Sequence, residues 1–295
     1  MLKKRAGVKI FTTSKSEKKI EEKVLVGTLG VDCFDLTQQL VDSIRSNAKE
    51  LKFFYVDNGS TPETIEKIKQ WKIINPFIDT VEIKINGKNL GVAAGWNQVA
   101  RAGIEWGASK IFIVNNDIVF HEKTIDNLIE AFNRLHSENE NVLLVTSNNV
   151  TRDPKIIKSS SITMEWHNVP HPDFACFMIS PETIEKVGEF WEELYPAYFE
   201  DNEYHNRMLL MGYVALRTYW SPYCHLGTRT RNTHINLVTH EQFRENEKRF
   251  HERMLVDTTD QKVCEDRYHA WLEQNPDVPH PSFDQIMNWV KAHEL

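Results

Sequence analysis

Residues able to hold a charged ligand gather at three points, each at the end of an apolar run. Gly27-Thr28 ends the first, Asp57-Asn58-Gly59-Ser60 the second and Asn115-Asn116-Asp117 the third. In open α/β sheets, ligands bind beyond the carboxyl ends of the strands. Any one cluster alone also reads as an ordinary turn, because Asp and Asn side chains fold back onto their own backbone. The coincidence of three is the signal. A carboxylate at Asp117 suits a hard divalent cation, which takes oxygen ligands and often completes its shell with substrate phosphates. The loop Asn86-Gly87-Lys88-Asn89-Leu90-Gly91 runs into Ala93-Ala94-Gly95-Trp96-Asn97. Its small residues let backbone approach a ligand closely, and a helix N-terminus there can help hold a diphosphate. Neither a Walker loop nor G-x-G-x-x-G after the first strand is present, which argues against a P-loop ATPase and an NAD enzyme.

The elements that must carry these residues follow from periodicity. Strands are expected over 24–28, 52–56, 81–85, 110–114 and 142–146. Between them, Leu36, Leu40 and Ile44 recur at helical spacing. Thr61-Pro62 opens a second helix, with Glu63 and Glu66 where the helix dipole favours them. Helices over 91–106 and 122–136 follow. Strands alternating with helices imply a mainly parallel sheet covered on both faces. Residues 149–171, with Pro154 and Pro170, read as an insertion or loop. Beyond it come a strand over 174–179, helices over 181–187 and 200–211, and a strand over 214–218. From about His234 the chain reads as helical, with a break at 275–281 and a last amphipathic helix marked by Phe283, Ile286, Trp289 and Val290. A short strand over 8–12 is a further expectation.

Composition narrows the class. The 295 residues carry a formal net charge of −7, with 41% hydrophobic and 26% charged residues. That is ordinary for a soluble globular protein, and it does not suggest a general polyanion binder, which needs a basic face. No apolar run approaches the roughly 18 residues of a membrane span, and the basic N-terminus lacks the apolar stretch of a secretory signal. A cytoplasmic location is the expectation. Cys33, Cys176, Cys224 and Cys264 form no C-x-x-C pair, so they are expected reduced.

Taken in order, the clusters carry a resemblance. Residues 24–28, Asp57-Asn58-Gly59-Ser60, Asn89-Leu90-Gly91-Val92-Ala93-Ala94-Gly95-Trp96-Asn97 and Asn115-Asn116-Asp117 resemble the successive donor-site motifs of family 2 of the inverting glycosyltransferases, which have the GT-A fold. Phe174-Ala175-Cys176-Phe177-Met178-Ile179-Ser180 resembles the acceptor-side strand of that family. Val187-Gly188-Glu189-Phe190 and Tyr198-Phe199-Glu200-Asp201-Asn202-Glu203, with Arg207, Gly212 and Tyr213, resemble its next two blocks. The resemblance covers about residues 24–230 and is nearest the rhamnosyltransferase-type branch.

It implies an α/β fold of GT-A type, with a Rossmann-like, mainly parallel sheet flanked by helices and a helical C-terminal extension. The divisions implied are an N-terminal arm at 1–23, a nucleotide-sugar-binding half at 24–148, an acceptor half at 149–230 and the extension at 231–295. By the same resemblance, Thr28 and Asp57 line the pocket for the base of a UDP- or dTDP-sugar. Asn58, Asn89, Gly91, Asn97, Asn115 and Asn116 belong to the donor site. Asp117 and His225 hold Mn²⁺ or Mg²⁺, Asp201 is the general base and Glu200 its neighbour. The metal motif departs from Asp-x-Asp at Asn115, and Glu203 stands where the family has Asp, placed to pair with Arg207 one helical turn on. Trp166 and Trp191 are candidates to stack on an acceptor sugar. The acceptor implied is a saccharide or lipid-linked saccharide, with a modified nucleic-acid base or a protein as alternatives. Two other classes stand beside this one. A nucleotidyltransferase would want a basic, Gly-rich loop after the first strand, where Gly27-Thr28-Leu29-Gly30-Val31-Asp32 has no basic residue. A non-catalytic sugar-nucleotide-binding module would have no need of Asp117 and Asp201.

Overall fold

The apolar strands alternate which face they bury, and this builds a sheet with a core on each side. Val24 and Val26 point into one core with Phe53, Tyr55 and Phe112, while Leu25 points into the other with Phe54, Val56 and Ile111. Strands buried on both faces belong to parallel sheets roofed by helices. The computed structural model describes residues 20–159, 162–227, 238–254, 261–278 and 282–293. The expected strand over 8–12 and the residue His234 lie outside these.

Strands β1 (Ile20–Gly30), β2 (Ala48–Asp57), β3 (Thr80–Ile85) and β4 (Lys110–Asn115) pair in parallel in the order β3-β2-β1-β4. Past β4 the sheet turns mixed. β5 (Ile118–Phe120), β6 (Val142–Thr151), β7 (Asn168–Val169), β8 (Cys176–Ile179) and β9 (Val214–His225) complete it. β8 is antiparallel to β4 and β6, β9 is parallel to β6, and β5 and β7 are antiparallel to β9.

Helices α1 (Phe34–Ser43), α2 (Pro62–Gln70) and α4 (Thr124–Glu138) lie on one face. In α4 the buried set Ile125, Leu128, Ile129, Phe132 and Leu135 follows the 3–4 spacing of a single apolar stripe. On the other face lie α3 (Val92–Trp106), α6 (Pro181–Val187) and α7 (Glu200–Leu210), with α5 (Pro154–Ile157) a short turn in the insertion. α3 rests directly on the sheet because Gly95 has no side chain there. A Cβ at that position would lie 2.5 Å from Leu29 Cδ1.

Several expectations change in detail. β6 runs on to Thr151, and the segment read as a loop holds α5 and β7. β1 begins at Ile20, so the last residues assigned to an arm are strand. β5 was not foreseen. The strand expected to stop at residue 218 runs on to His225. The C-terminal helices α8 (His240–Met254), α9 (Gln261–Gln274) and α10 (Phe283–Ala292) share their core with α3 and α7 through Phe250, Met254, Trp271 and Ile286. No described helix is long and apolar enough to cross a membrane.

One charged knot ties α8 to α7. Glu203 is fully buried and takes both Arg207 donors, Nε at 2.9 Å and Nη2 at 2.8 Å, and Arg253 Nε at 2.9 Å. Arg207 is itself buried and donates to the carbonyls of Val187 and Glu189. Removing the carboxylate strands a buried guanidinium, which typically costs about 3–5 kcal/mol. Glu203→Ala is therefore expected to lower the unfolding free energy by about that much in urea titration. Arg253→Ala, which removes the more exposed partner, is expected to cost about 1 kcal/mol. Equal losses from the two would mean that Arg207 is not the group being neutralised.

Candidate functional site

The floor of the site is made by the carboxyl ends of β1 and β2. Thr28 is fully buried and its Oγ1 has no hydrogen-bond partner among the described residues. Asp57 pairs with Gly30 across the strands and accepts the Ser60 N–H at both oxygens, 3.2 and 3.1 Å. This is the turn that Asp-Asn-Gly-Ser forms on its own. The carboxylate is fully buried and keeps lone pairs for a further donor. Asp32, at φ 52, closes the rim: its N–H donates to Ser60 Oγ at 2.7 Å, and its Oδ1 accepts Thr61 N–H at 3.0 Å.

Asn58 organises the loop that follows β3. Its Nδ2 donates to Asn89 Oδ1 and to the Gly91 carbonyl, both at 3.1 Å. Its Oδ1 accepts from Asn86 Nδ2 at 3.1 Å and from Leu90 N–H at 3.0 Å. Both donors and both lone pairs are thus used within the chain. Asn89 in turn accepts the Gly91 N–H at 2.8 Å. Gly91 sits at φ 92, which favours glycine, and leads into α3. There Val92 N–H donates to the Pro196 carbonyl at 2.9 Å. Asn97 is fully buried. Its Nδ2 donates to Phe190 O and Glu192 Oε1, and its Oδ1 accepts Phe190 N–H. Asn58, expected as a donor-site residue, is thus saturated within the chain, while Asn97 is engaged at both its amide nitrogen and its oxygen and keeps one lone pair on Oδ1.

The third cluster lies in the turn between β4 and β5. Asn115 is half-buried and its N–H donates to Ala175 O at 2.9 Å. Asn116 is buried, its amide 3.5 Å from Thr37 Oγ1. Asp117 and His225 are far apart in sequence and meet through β5 and β9. Ile118 is the register partner of His225, and Leu226 N–H donates to Asp117 O at 3.0 Å. The side chains face each other with His225 Nε2 3.2 Å from Asp117 Oδ1. Burial lowers the His225 pKa, but the hydrogen bond and charge of Asp117, with Asp173 adding, outweigh it and leave the pKa raised.

The pair fits a small divalent ion. Two adjacent ligands on an octahedral cation with bonds of about 2.1 Å stand about 3 Å apart, and carboxylate plus imidazole is a usual donor set for Mn²⁺. No group of three or more such side chains is gathered for a metal among the described residues. Two protein ligands leave the remaining positions to water or a ligand's oxygens.

Two carboxylates open α7. Tyr198 and Phe199 both hold left-handed backbone, φ 79 and 73, before the first turn. Such residues cost of order 1–3 kcal/mol each and persist only where packing over-determines them. Here Phe199 stacks on Phe250 at 5.6 Å and meets Phe243 at 5.1 Å. Glu200 is buried, and its Oε2 has no partner among the described residues. Burial, followed by the charge of Asp201, pushes its pKa up to about 8. Asp201 is half-buried, with Oδ1 accepting Asn202 N–H at 2.9 Å. Burial raises its pKa and the charge of Asp173 adds, against the lowering by the Asn202 and Asp201 N–H groups.

Sequence reasoning passed over Asp173, which lies between a segment read as loop and one read as strand. The adjacent Tyr223 accompanies it, donating its hydroxyl to Asp173 Oδ2 at 2.6 Å. The two expected stacking tryptophans are each covered on one face by an arginine, Arg134 over Trp166 at 4.2 Å and Arg253 over Trp191 at 4.3 Å. None of the four cysteines forms a disulfide.

Comparison with known proteins gives the family and the fold. The family model for Glycosyl transferase family 2 matches residues 32–188, just over half of the chain. That span includes Asp57, the 86–91 loop and Asp117; Thr28, Glu200, Asp201 and His225 lie outside it. No curated protein matches the chain. Among solved structures, the mannosyltransferase PcManGT from Pyrobaculum calidifontis, in complex with GDP-Man and Mn²⁺, is similar at 14% identity and TM-score 0.54, over 96% of this chain and 83% of that one. GalNAc-T7 with UDP, GalNAc and Mn²⁺ is similar at 12% identity and TM-score 0.56, over 93% of this chain and 57% of that one. TarS 1–349 of S. aureus is similar at 13% identity and TM-score 0.52, over 83% and 69%. At such identities the likeness is one of fold, the mixed α/β sheet shared by GT-A glycosyltransferases. The family match sets aside the nucleotidyltransferase and non-catalytic alternatives: the chain belongs to glycosyl transferase family 2 and is a glycosyltransferase of the GT-A fold.

Proposed function

We propose that the chain moves a sugar from a nucleoside-diphosphate sugar, UDP- or dTDP-linked, to an acceptor hydroxyl with inversion, assisted by Mn²⁺ or Mg²⁺. The observation that carries the reading is the 3.2 Å approach of His225 to Asp117 at the carboxyl end of the sheet. Two solved structures of similar fold contain Mn²⁺ with GDP-Man or with UDP, which supports a nucleotide donor and a metal.

In this reading residues of about 24–148 hold the donor and those of about 149–230 the acceptor. Asp57 accepts an N–H of the pyrimidine ring and Thr28 lines the same pocket. Asn58 and Asn89 hold the loop 86–91 so that its backbone and the N-terminus of α3 approach the diphosphate. Asp117 and His225 would hold the cation, which when bound offsets the charge of the departing diphosphate. Asp201 accepts the proton of the attacking hydroxyl through a carboxylate oxygen. That hydroxyl oxygen bonds to the anomeric carbon from the face opposite the diphosphate, whose bond to the same carbon breaks. A raised pKa makes Asp201 a stronger base than an exposed carboxylate. Neutral Glu200 beside it adds no second negative charge, which keeps the proton-accepting role on the more accessible group. The acceptor is proposed to be a saccharide or lipid-linked saccharide, in keeping with the rhamnosyltransferase-type branch.

Incubation with UDP-, dTDP- and GDP-sugars, read as release of nucleoside diphosphate, identifies the donor. With it, Asp201→Asn is expected to lower transfer about 10²–10⁴-fold, while calorimetric donor affinity stays within about twofold. Transfer within a few-fold of wild type would reassign the base to Glu200.

Nucleoside diphosphate and Mn²⁺ are expected to bind each other's complex more tightly than the free protein, because two protein ligands hold the ion weakly alone. EDTA should weaken donor binding. Asp117→Ala should abolish the linkage, and His225→Ala should reduce it and favour Mg²⁺ over Mn²⁺. Indifference of wild-type donor binding to EDTA would mean a metal-independent enzyme.

Glu200 predicts a stability trend. Its carboxyl binds a proton more tightly in the folded protein than in the unfolded chain. The folded state therefore holds the extra proton between the ordinary carboxylate pKa and about 8. Stability from this group is complete below that window and is lost as pH rises through it. Wild-type Tm should fall from pH 5 to pH 8 more steeply than that of Glu200→Gln. Parallel curves would show that Glu200 is ionised in the fold.

A further inference from the structure

One carboxylate of the cleft has no part in the roles above. Asp173 is half-buried in the segment before β8, and three hydrogen bonds fix it. Its N–H donates to Thr146 Oγ1 at 3.0 Å, its Oδ1 accepts Ala175 N–H at 3.1 Å, and its Oδ2 accepts the Tyr223 hydroxyl at 2.6 Å. Two of the tethers lead to the Asp117–His225 pair. Tyr223 is fully buried, and its ring lies 6.4 Å from that of His225, two residues on along β9. Ala175 O accepts the Asn115 N–H, which ties the segment to the carboxyl end of β4. An ionised carboxylate has about four lone-pair positions, and the two side-chain bonds leave the others free.

That position has a chemical meaning, which rests on the transferase reading. Asp117 and His225 mark where the diphosphate departs, and Asp201 marks where the acceptor hydroxyl attacks. In a direct displacement the sugar in transit occupies the space between them. We propose that Asp173, held beside the Asp117–His225 pair through Tyr223 and Ala175, accepts a hydrogen bond from a hydroxyl of the transferred sugar and thereby selects among donor sugars. Its arrangement does not make it a third metal ligand, since no three such groups gather for an ion among the described residues. Acceptor-only chemistry suits a hydroxyl donor, and a rigid carboxylate distinguishes epimers because it rewards a hydroxyl at one position and one orientation.

The test separates nucleotide from sugar. UDP, dTDP and GDP are titrated calorimetrically into wild type and Asp173→Asn with Mn²⁺, beside their glucose, galactose, N-acetylglucosamine, rhamnose and mannose conjugates. The free diphosphates are expected to bind both proteins within about twofold. The best wild-type conjugate is expected to lose about 10–100-fold in Asp173→Asn, the scale of a hydrogen bond to a charged group. A monodeoxy donor lacking the bonded hydroxyl should bind both proteins alike. Tyr223→Phe keeps the carboxylate and removes one tether, so it should lose a smaller factor on the conjugate alone, and thermal melts report folding of both variants. Equal losses for diphosphate and conjugate would assign Asp173 to the phosphates and overturn the proposal, as would an unchanged conjugate affinity. A wild type that binds no diphosphate and no conjugate would overturn the donor-site reading itself, and it is told apart by the silence of the unmutated protein.

Discussion

Three residues of β5 pair antiparallel with Tyr223, Cys224 and His225 at the end of β9, and the arrangement of the site depends on that short ladder. The side-chain period of a strand is two, so a slip of one residue would turn His225 to the opposite face and draw it away from Asp117. The register is well specified. Ile118, Val119 and Phe120 are all buried, as are Tyr223 and Cys224, and any slip would expose part of that apolar set. The Leu226 N–H to Asp117 O bond continues the pairing past the strand end. Local packing of this kind turns two residues distant in sequence into neighbours at 3.2 Å.

The second constraint acts on α7. Left-handed backbone at Tyr198 and Phe199 is unfavourable for bulky side chains, yet it is what swings the chain so that Glu200 and Asp201 open the helix. Phe243 and Phe250 of α8 pack on these two aromatics, and Asn246 Nδ2 donates to Ala197 O at 2.9 Å. Arg253, from the same helix, reaches Glu203 one turn along α7. The C-terminal helices therefore bear on the placement of the carboxylates, because they offset the strain that precedes them. This is a tighter relation than an appended helical unit suggests.

Much of the parallel half was legible in sequence, for a physical reason. Strands β1, β2 and β4 are apolar on both faces and end abruptly at polar residues, so both the element and its carboxyl end can be read. The antiparallel half was less so. β5 is three residues long, too short for a periodic signal. β9 was legible only to residue 218, because Ser221 and Pro222 interrupt the apolar pattern beyond it, and Ser221 is met by Ser147 and Thr124. Asp173 was missed because irregular backbone has no period. Asn58 and Asn97 show the opposite fault. Their types suit a ligand, but an amide's bonding positions can be taken up within the chain, by backbone and side chains together, and only the fold reveals that they are.

The charges of the cleft explain why its parts have to act together. Asp117 and Asp173 both act on His225, and Asp173 acts also on Asp201, in a protein whose net charge is already −7. A diphosphate entering such a field meets repulsion unless positive charge accompanies it or carboxyl groups take up protons. Burial already imposes the second remedy on Glu200, which it pushes up to about 8. His225 illustrates the competition for the first. The acid beside it raises its affinity for a proton, and the proton and a cation seek the same nitrogen. The same carboxylates that would hold an ion and accept a proton are thus the source of the field that makes both necessary. Removing Asp117 or Asp173 changes how tightly His225 holds its proton, and removing Asp173 or Asp201 does the same for Asp201 or Glu200, so substitutions within this group should not be additive.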